Sequence, residues 1–390
     1  MEERAVSFIE SPERVALRKS VADFAASYGS DYVRDKTDAG EHLTELWLEA
    51  GKLGFLGVNT PEEYGGGGAG IYELSLVLEE MSAAGAGLLM MVVSQGINAT
   101  IIGRFGTEEQ KRRWLPGIAA GTFNMAFGIT EPDAGSNSHR ITTTGSRDGG
   151  DWILNGRKVF ISAVDQADAV LVVGRTEDAK TGKLRPALFV VPTDAPGFVY
   201  QPIDMELRIP DRQFTLFLDD VRLPADALVG SADAGLMQLF AGLNPERIMG
   251  AASAVGIGRL ALGRAVDYAK QRSVWGAPIG THQGIAHPLA QNKIELELAK
   301  LMMQKAATLY DSGDDMGAAE AANMAKYAAA EAAVRAVDQA VHTLGGNGLS
   351  AEYGVARLLN IVRISRIAPV SREMILNFVA QFGLGLPKSY

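Results

Sequence analysis

Residues 244–272, NPERIMGAASAVGIGRLALGRAVDYAKQR, contain the pattern that decides the fold. Apolar residues recur three and four positions apart, which predicts a long helix with one buried face. Asn244 suits the N-cap and Pro245 the first helical position, so we expect the helix to begin there. Two further stretches, 285–311 and 315–344, are rich in strong helix formers. Helices of this length extend about 40 Å and are typical of an antiparallel bundle.

The rest of the chain divides into two segments of different character. Residues 1–122 again have a helical period, and Thr107 with Gln110 has the pattern of a helix start. Residues 123–232 contain short runs rich in β-branched and aromatic residues between turn residues: WILNG, KVFIS, AVLVVG, ALFVVP, GFVYQPI and FTLFL. The sequence therefore predicts an α+β multidomain protein, with an N-terminal helical domain (1–122), a central antiparallel β-barrel or sandwich (123–232) and a long four-helix bundle (233–390).

Composition excludes several classes of function. The chain has 46 acidic and 37 basic side chains, a net charge of −9, no cysteine and five histidines. The negative balance argues against nucleic acid as the main partner, and the lack of cysteine excludes thiol redox and zinc–thiolate sites, so we expect no metal centre. The N-terminus lacks a signal-peptide pattern and the longest apolar run, AGLLMMVV, is too short to span a membrane. We therefore expect a cytoplasmic protein.

Five short motifs follow one another in a characteristic order along the chain. In type and order they resemble the acyl-CoA dehydrogenase family of flavoenzymes: PEEYGGGG (61–68), GITEPDAGSN (128–137), NGRKVFIS (155–162), QRSVWGAPIGTHQ (271–283) and HTLGGNGLSAEYGVARLLN (342–360). The resemblance covers nearly the whole chain. It implies an FAD-dependent oxidoreductase of fatty acid metabolism that desaturates an acyl-CoA thioester. It also implies a homotetramer, arranged as a dimer of dimers, with an electron-transfer flavoprotein as acceptor.

The resemblance also assigns cofactor and substrate contacts. The residues implied to contact the flavin or its diphosphate, some of them in the partner subunit's site, are Phe127, Ile129, Thr130, Ser136, Phe160, Ser162, Arg272, Gln283, His342, Gly345, Gly346, Ser371 and Glu373. Ser136, Asn244 and Arg247 are implied to contact the CoA end of the substrate. Asn137 and His342 depart from the Asp and Gln that are usual in the family. Taken singly, these motifs are also typical of an ordinary turn, a half-buried strand and a helix end.

At the position of the catalytic base, this chain differs from many members of the family. Desaturation requires a carboxylate that removes a proton from the α carbon while hydride leaves the β carbon. Many family members have a Glu where this chain has Pro369, and proline has neither a carboxylate nor a backbone N–H to polarise the thioester carbonyl. Another branch of the family places the Glu at the position of Glu246, which is therefore our candidate base. Once substrate is bound and water is excluded, we expect burial to raise the pKa of Glu246 more than the helix dipole lowers it.

Other functions remain open at this point. Pro369 and Asn137 also fit a noncatalytic or half-site subunit of a heteromeric dehydrogenase. A DNA-associated flavoprotein on the same scaffold is disfavoured by the charge of −9. A short oxygen-using variant is a further alternative, and the acyl chain is not determined by these motifs.

Overall fold

The computed structural model describes residues 10–178, 181–231 and 235–388. Helices from both ends of the chain pack together and cover one face of a central sheet, so the predicted order of helical, β and helical segments is confirmed. The helices are α1 (Pro12–Asp38), α2 (Thr44–Lys52), α3 (Ile71–Ala83), α4 (Thr100–Phe105), α5 (Glu108–Ala120), α6 (Gly235–Gln271), α7 (Gln283–Asp311), α8 (Asp315–Leu344), α9 (Arg357–Ile367) and α10 (Arg372–Phe378), with π-helical segments at Met91–Ala99 and Val379–Gly383. In this part of the chain, no helix combines the length and apolar character needed to cross a bilayer.

The middle segment forms one eight-stranded sheet, in the order β6-β7-β3-β2-β4-β5-β8 with β1 beside β4. Its strands are β1 (Met125–Gly128), β2 (Thr144–Asp148), β3 (Asp151–Ser162), β4 (Ala169–Glu177), β5 (Leu184–Pro192), β6 (Phe198–Pro202), β7 (Gln213–Leu223) and β8 (Leu228–Val229). A separate small hairpin, β9 (Ser273–Val274) and β10 (Ala277–Pro278), follows α6.

The prediction of an antiparallel barrel or sandwich is confirmed as a β-sheet domain, but the sheet is not wholly antiparallel and no closed barrel forms among the described residues. Within the described residues the sheet stays open between its edge strands β6 and β8, and β1 runs parallel to β4. Along β4, Val170 and Val172 pack into a core enclosed by the sheet itself, whereas Leu171 and Val173 pack against the helices. The sheet does not need to close into a barrel, because the helices cover the face of the sheet that a barrel would expose. Both faces of β4 are accordingly buried.

Helix α6 begins at Gly235, about two and a half turns before Asn244, so the predicted helix start is wrong. Pro245 lies inside the helix and has no N–H for the carbonyl of Ala241, four residues earlier. The hydroxyl of Tyr310 on α7 donates to that carbonyl instead, at 2.8 Å. The proline is tolerated because another helix satisfies the freed acceptor, which the local sequence does not indicate.

The C-terminal bundle is built on three long helices. Helices α6, α7 and α8 contain 37, 29 and 30 residues. The short turn at 312–314 makes α7 and α8 antiparallel. The fourth member, α9, has only 11 residues and packs against α6 and α8. The bundle is therefore present, but its fourth helix is short.

We expect Tyr310→Phe to lower the free energy of unfolding by about 1–3 kcal/mol, because it leaves the buried carbonyl of Ala241 without a donor. Denaturant unfolding followed by circular dichroism measures the change. Tyr32→Phe is a matched control, since the buried hydroxyl of Tyr32 has no hydrogen-bond partner among the described residues. Equal stability of the two variants would contradict this role for Tyr310.

Candidate active site

A buried salt bridge holds the turn that follows β1. Lys158 on β3 is fully buried, and its ammonium lies 2.8 Å from the carboxylate of Glu131. The same ammonium donates to the carbonyls of Ile129 and Val173. Glu131 also accepts hydrogen bonds from the backbone and hydroxyl groups of residues 142 and 143. These contacts attach the predicted flavin-binding turn to the sheet.

The contacts of Glu131 and Lys158 determine whether these two side chains are charged. Burial alone would raise the pKa of Glu131, but the hydrogen bonds from Lys158 and from residues 142 and 143 outweigh it and lower the pKa to about 2. Burial lowers the pKa of Lys158 to about 8 although Glu131 opposes the shift. Both groups are therefore charged at neutral pH.

Residues from β1 and β3 meet beside this pair. The backbone N–H of Val159 donates to the carbonyl of Thr130 at 3.0 Å, which places Phe160 and Ser162 next to the turn that contains Ile129. Phe160 has a left-handed backbone (φ 57°) next to a bulge in the β3–β7 pairing, and 56% of its surface is exposed. The hydroxyl of Ser162, two residues further along the strand, is partly exposed.

The remaining predicted contacts on the sheet side differ in burial. Phe127 is buried on β1, whereas Ser136 and Asn137 are exposed in the turn beyond Glu131. The hydroxyl of Ser162 exchanges hydrogen bonds with the side chain of Gln213 on β7. The structure thus brings the β1 and β3 residues together and leaves Ser136 at the rim.

The π-helix Met91–Ala99 connects this part of the sheet to α6. Asn98 donates to the carbonyls of Met125 and Ala126 on β1. On its other side, Gly96 lies against Met249 of α6, so that an added Cβ would be 3.3 Å from the Met249 side chain. Glu246 lies one turn before Met249 on the same helix. The π-helix therefore lies between β1 on the sheet side and the part of α6 that contains the candidate base.

Glu246 lies deep within the protein but is not fully shielded from solvent. Its side chain is surrounded by protein on most sides but is still partly accessible to solvent. Burial raises its pKa to about 7, against the opposing charges of Arg247 and Lys326. Burial is therefore the largest influence on this carboxyl before any substrate binds, whereas the sequence-based expectation concerned the substrate-bound protein. The helix dipole is not the opposing factor, because Glu246 is about three turns from the start of α6.

Asn244 and Arg247 lie next to Glu246 and to each other. A guanidinium nitrogen of Arg247 donates to the side-chain oxygen of Asn244 at 3.3 Å and to the carbonyl of Leu243. The Nε atom of Arg247 is buried without a partner among the described residues. Burial lowers the pKa of Arg247, and Glu246 opposes the shift.

The segment around Pro369 passes between α6 and α8. A Cβ added at Gly250 would lie 3.6 Å from the Pro369 ring, and Gly250 is one turn after Glu246. On the other side, Lys326 of α8 donates to the carbonyl of Val370 at 2.5 Å. Ser371 caps α10 by accepting from the N–H of Met374, whereas Glu373 is exposed. The positions of Glu246 and Pro369 are therefore adjacent in space.

Sequence reasoning missed the residues that hold these parts in place: Lys158, Glu131, Lys326 and Glu331. One signal was available, because Lys326 is the single lysine of the Ala-rich stretch 317–334. A charged residue on the face of a close-packed helix needs a partner.

The other predicted contacts lie at one end of the bundle. Arg272 follows the last turn of α6, and Gln283 begins α7. His342 and the two glycines Gly345 and Gly346 lie at the end of α8, all exposed. A Cβ added at either glycine would meet no atom within 4 Å, so a ligand has free access to the backbone there. Arg272 is about 40 Å along α6 from Glu246, at 1.5 Å per residue.

Comparisons with known proteins agree with this architecture. Residues 11–122, 126–221 and 233–384 match the N-terminal, middle and C-terminal domains of acyl-CoA dehydrogenase, respectively. Acyl-CoA dehydrogenase FadE12 of Mycobacterium tuberculosis (strain H37Rv) is 74% identical over 384 residues, which cover 98% of this chain and 99% of that protein.

Two solved structures are also similar. Butyryl-CoA dehydrogenase from Megasphaera elsdenii has a TM-score of 0.90 and 30% identity, over 97% of this chain and 100% of that one. Glutaryl-CoA dehydrogenase from Mycobacterium smegmatis in complex with FADH2 has a TM-score of 0.90 and 30% identity, over 98% and 96%. The chain therefore belongs to the acyl-CoA dehydrogenase family. It is an oxidoreductase, and its cofactor is FAD.

The residues near Glu131 fit a flavin ring. The exposed ring of Phe160 offers an apolar face, and the hydroxyl of Ser162 lies two residues away in the same strand. Thr130 adds a second hydroxyl at the turn held by Lys158. A flat ring with polar edges requires this combination of an apolar face and adjacent hydrogen-bonding groups.

We expect Glu131→Gln to lower the free energy of unfolding by about 3 kcal/mol at neutral pH, because Lys158 would keep a buried charge without its carboxylate. The pKa of Glu131 is lower in the folded chain than in the unfolded chain. Its stabilisation is therefore present at neutral pH and is lost as the pH falls towards 2.

Urea unfolding at several pH values checks this prediction. The difference between wild type and Glu131→Gln should shrink as the pH falls, and a constant difference would argue against it. Glu109→Gln is the control, because Glu109 is exposed and has no ion pair among the described residues.

Proposed function

We propose that the chain desaturates an acyl-CoA thioester between its α and β carbons, with Glu246 as the base. FAD, when bound, would supply the acceptor for the hydride that leaves the β carbon. The observation that carries the proposal is the position of Glu246, a carboxylate surrounded by protein with a pKa of about 7. At neutral pH about half of such carboxyl groups are ionised, and the ionised form is far more basic than an ordinary Glu.

The neighbours of Glu246 support this role. Pro369 cannot accept a proton, and its segment lies one helical turn from Glu246. A carboxylate on α6 therefore reaches the same region as a carboxylate at position 369 would. Arg247 and Lys326 place positive charge beside the carboxylate and limit the rise in its pKa.

The cofactor residues fall into two groups in this proposal. The first group contacts the flavin of the same chain and consists of Phe127, Ile129, Thr130, Ser136, Phe160, Ser162, Ser371 and Glu373. The second group, at the far end of the bundle, contacts the diphosphate of a partner's FAD and consists of Arg272, Gln283, His342, Gly345 and Gly346. The separation of about 40 Å between Glu246 and Arg272 supports two different cofactors, because one chain cannot place both residues on a single flavin.

The substrate contacts follow from the hydrogen bonds of Arg247. Asn244 orients its guanidinium, and the unpartnered Nε atom is available for the CoA end of the ligand. Ser136, at the exposed rim of the turn, is the corresponding contact from the sheet side. We further propose a homotetramer, built as a dimer of dimers, and an electron-transfer flavoprotein as the acceptor in fatty acid metabolism.

An alternative is a noncatalytic or half-site subunit of a heteromeric dehydrogenase. The observation in its favour is Pro369, which has no N–H for the thioester carbonyl. Removal of one such donor typically costs about 3–4 kcal/mol of transition-state stabilisation. The two proposals differ in whether the isolated, FAD-loaded protein reacts with acyl-CoA.

We expect acyl-CoA thioesters to bleach the flavin of the purified wild-type protein and Glu246→Gln to slow this at least about 100-fold, because the general base is lost. A stopped-flow absorbance screen over thioesters of different chain length and branching measures the rate. Glu109→Gln is the matched control and should react like wild type. Wild-type reduction in Glu246→Gln would exclude Glu246 as base, whereas an inert wild type that still binds acyl-CoA would favour the alternative.

The rate of flavin reduction should increase with pH, with a midpoint near 7. Only the ionised carboxylate of Glu246 accepts the proton, and its pKa is raised to about 7, so activity is lost as the pH falls through this value. Single-turnover rates over about pH 5.5 to 8.5 test this. A midpoint near 4 would mean that Glu246 is not buried in the reacting complex.

A further inference from the structure

Lys326 is a buried cation with one defined hydrogen bond among the described residues. It lies in the middle of α8, surrounded by alanines, and only 2% of its surface is exposed. Its ammonium donates to the carbonyl of Val370 at 2.5 Å, and among the described residues no carboxylate forms an ion pair with it. Burying an ammonium costs free energy that an apolar side chain of similar length would avoid. Packing alone therefore does not explain why a charged side chain occupies this position.

The segment that Lys326 contacts is anchored to α8 at two points. Lys326 contacts the carbonyl of Val370, and Glu331, about one turn further along α8, accepts from Arg366 at 2.7 Å. On its opposite side this segment meets α6, where the Pro369 ring lies against Gly250. Segment 366–371 is therefore held between two long helices, one of which carries Glu246.

We propose that Lys326 is a positioning residue for the candidate base: its ammonium holds segment 366–371 against α6 and keeps a positive charge beside the Glu246 carboxylate. This rests on the proposed function, in which Glu246 is the base. Lys326 acts through its neighbours, since its side chain is enclosed between α8 and the segment.

The charges around Lys326 determine the direction of its effect. From α6, Glu246 and Arg247 act on the ammonium, and from α10 Glu373 acts on it. Burial, together with Arg247, lowers the pKa of Lys326 to about 8, while Glu246 and Glu373 oppose the shift. The ammonium therefore remains protonated at neutral pH.

Charged groups of the other packed helices are engaged elsewhere. Arg366 of α9 and Glu295 of α7 pair with Glu331 and Arg335, further along α8. On α3, Glu79 and Glu80 pair with Arg259, more than three turns along α6 from Glu246. Arg247 and Lys326 are accordingly the cations that favour the ionised form of Glu246.

Two variants separate the charge from the hydrogen bond. Lys326→Met removes both, whereas Lys326→Gln removes the charge and keeps a donor for the carbonyl of Val370. A buried ion replaced by an apolar side chain of similar volume is often tolerated, so we expect the Met variant to fold. Lys183→Met, at an exposed position in the loop before β5, is the matched control.

The first measurement is an infrared pH titration of the FAD-loaded protein. The band of the protonated Glu246 carboxyl is identified as the one that Glu246→Gln removes. We expect the midpoint of this band to rise by about one pH unit in both Lys326 variants, because a neighbouring cation that favours the carboxylate is lost. The midpoint of flavin reduction by acyl-CoA should rise by the same amount.

The second measurement is amide hydrogen exchange of residues 366–373. Exchange should be faster in Lys326→Met than in wild type, and slower in Lys326→Gln than in Lys326→Met. Lys183→Met should match wild type in both measurements.

An unchanged infrared midpoint in the Met variant, or unchanged exchange of the segment, overturns the proposal. Neither measurement requires turnover. An acyl-CoA screen without flavin bleaching would therefore count against the proposed function alone, while the titration and the exchange data would still decide the role of Lys326.

Discussion

The buried contact between Lys158 and Glu131 is the constraint on which the sheet side of the site depends. The ammonium of Lys158 donates to two backbone carbonyls and faces a carboxylate that also accepts hydrogen bonds from residues 142 and 143. A half-satisfied network of this kind would be costly in a dry interior, so the turn after β1 has essentially one position. The backbone hydrogen bond from Val159 to Thr130 links β3 to this turn, so the turn also positions Phe160 and Ser162.

The bundle side of the site uses charge in a comparable way. Two acidic residues, Glu246 and Glu373, and two basic residues, Arg247 and Lys326, come from three helices, and their charges influence one another. The carboxylate is kept basic by burial, while the cations prevent it from being neutral throughout the physiological range. A proline at position 369 is compatible with a base in this region because α6 passes directly beside it.

Local signals predicted some elements well and others poorly. Thr107 and Gln110 exchange hydrogen bonds as a capping box at the start of α5, and Gly345 ends α8 with a positive φ, as their residue types indicated. The same reasoning failed at Asn244 and Pro245, which lie inside α6. The difference is that a cap is satisfied by its own helix, whereas the carbonyl freed by Pro245 is satisfied by Tyr310 of another helix.

The sequence by itself determined the order of helical and β segments, the three long helices of the bundle and the family, because periodicity and motif order are properties of the chain. It also made Glu246 the candidate base, since proline at position 369 has no carboxylate. Only the tertiary structure decided that the sheet is open, that Glu246 lies deep enough for a pKa of about 7, and that Lys326 lies beside it. Burial and the distance between charges on different helices arise from packing, and no local pattern encodes them.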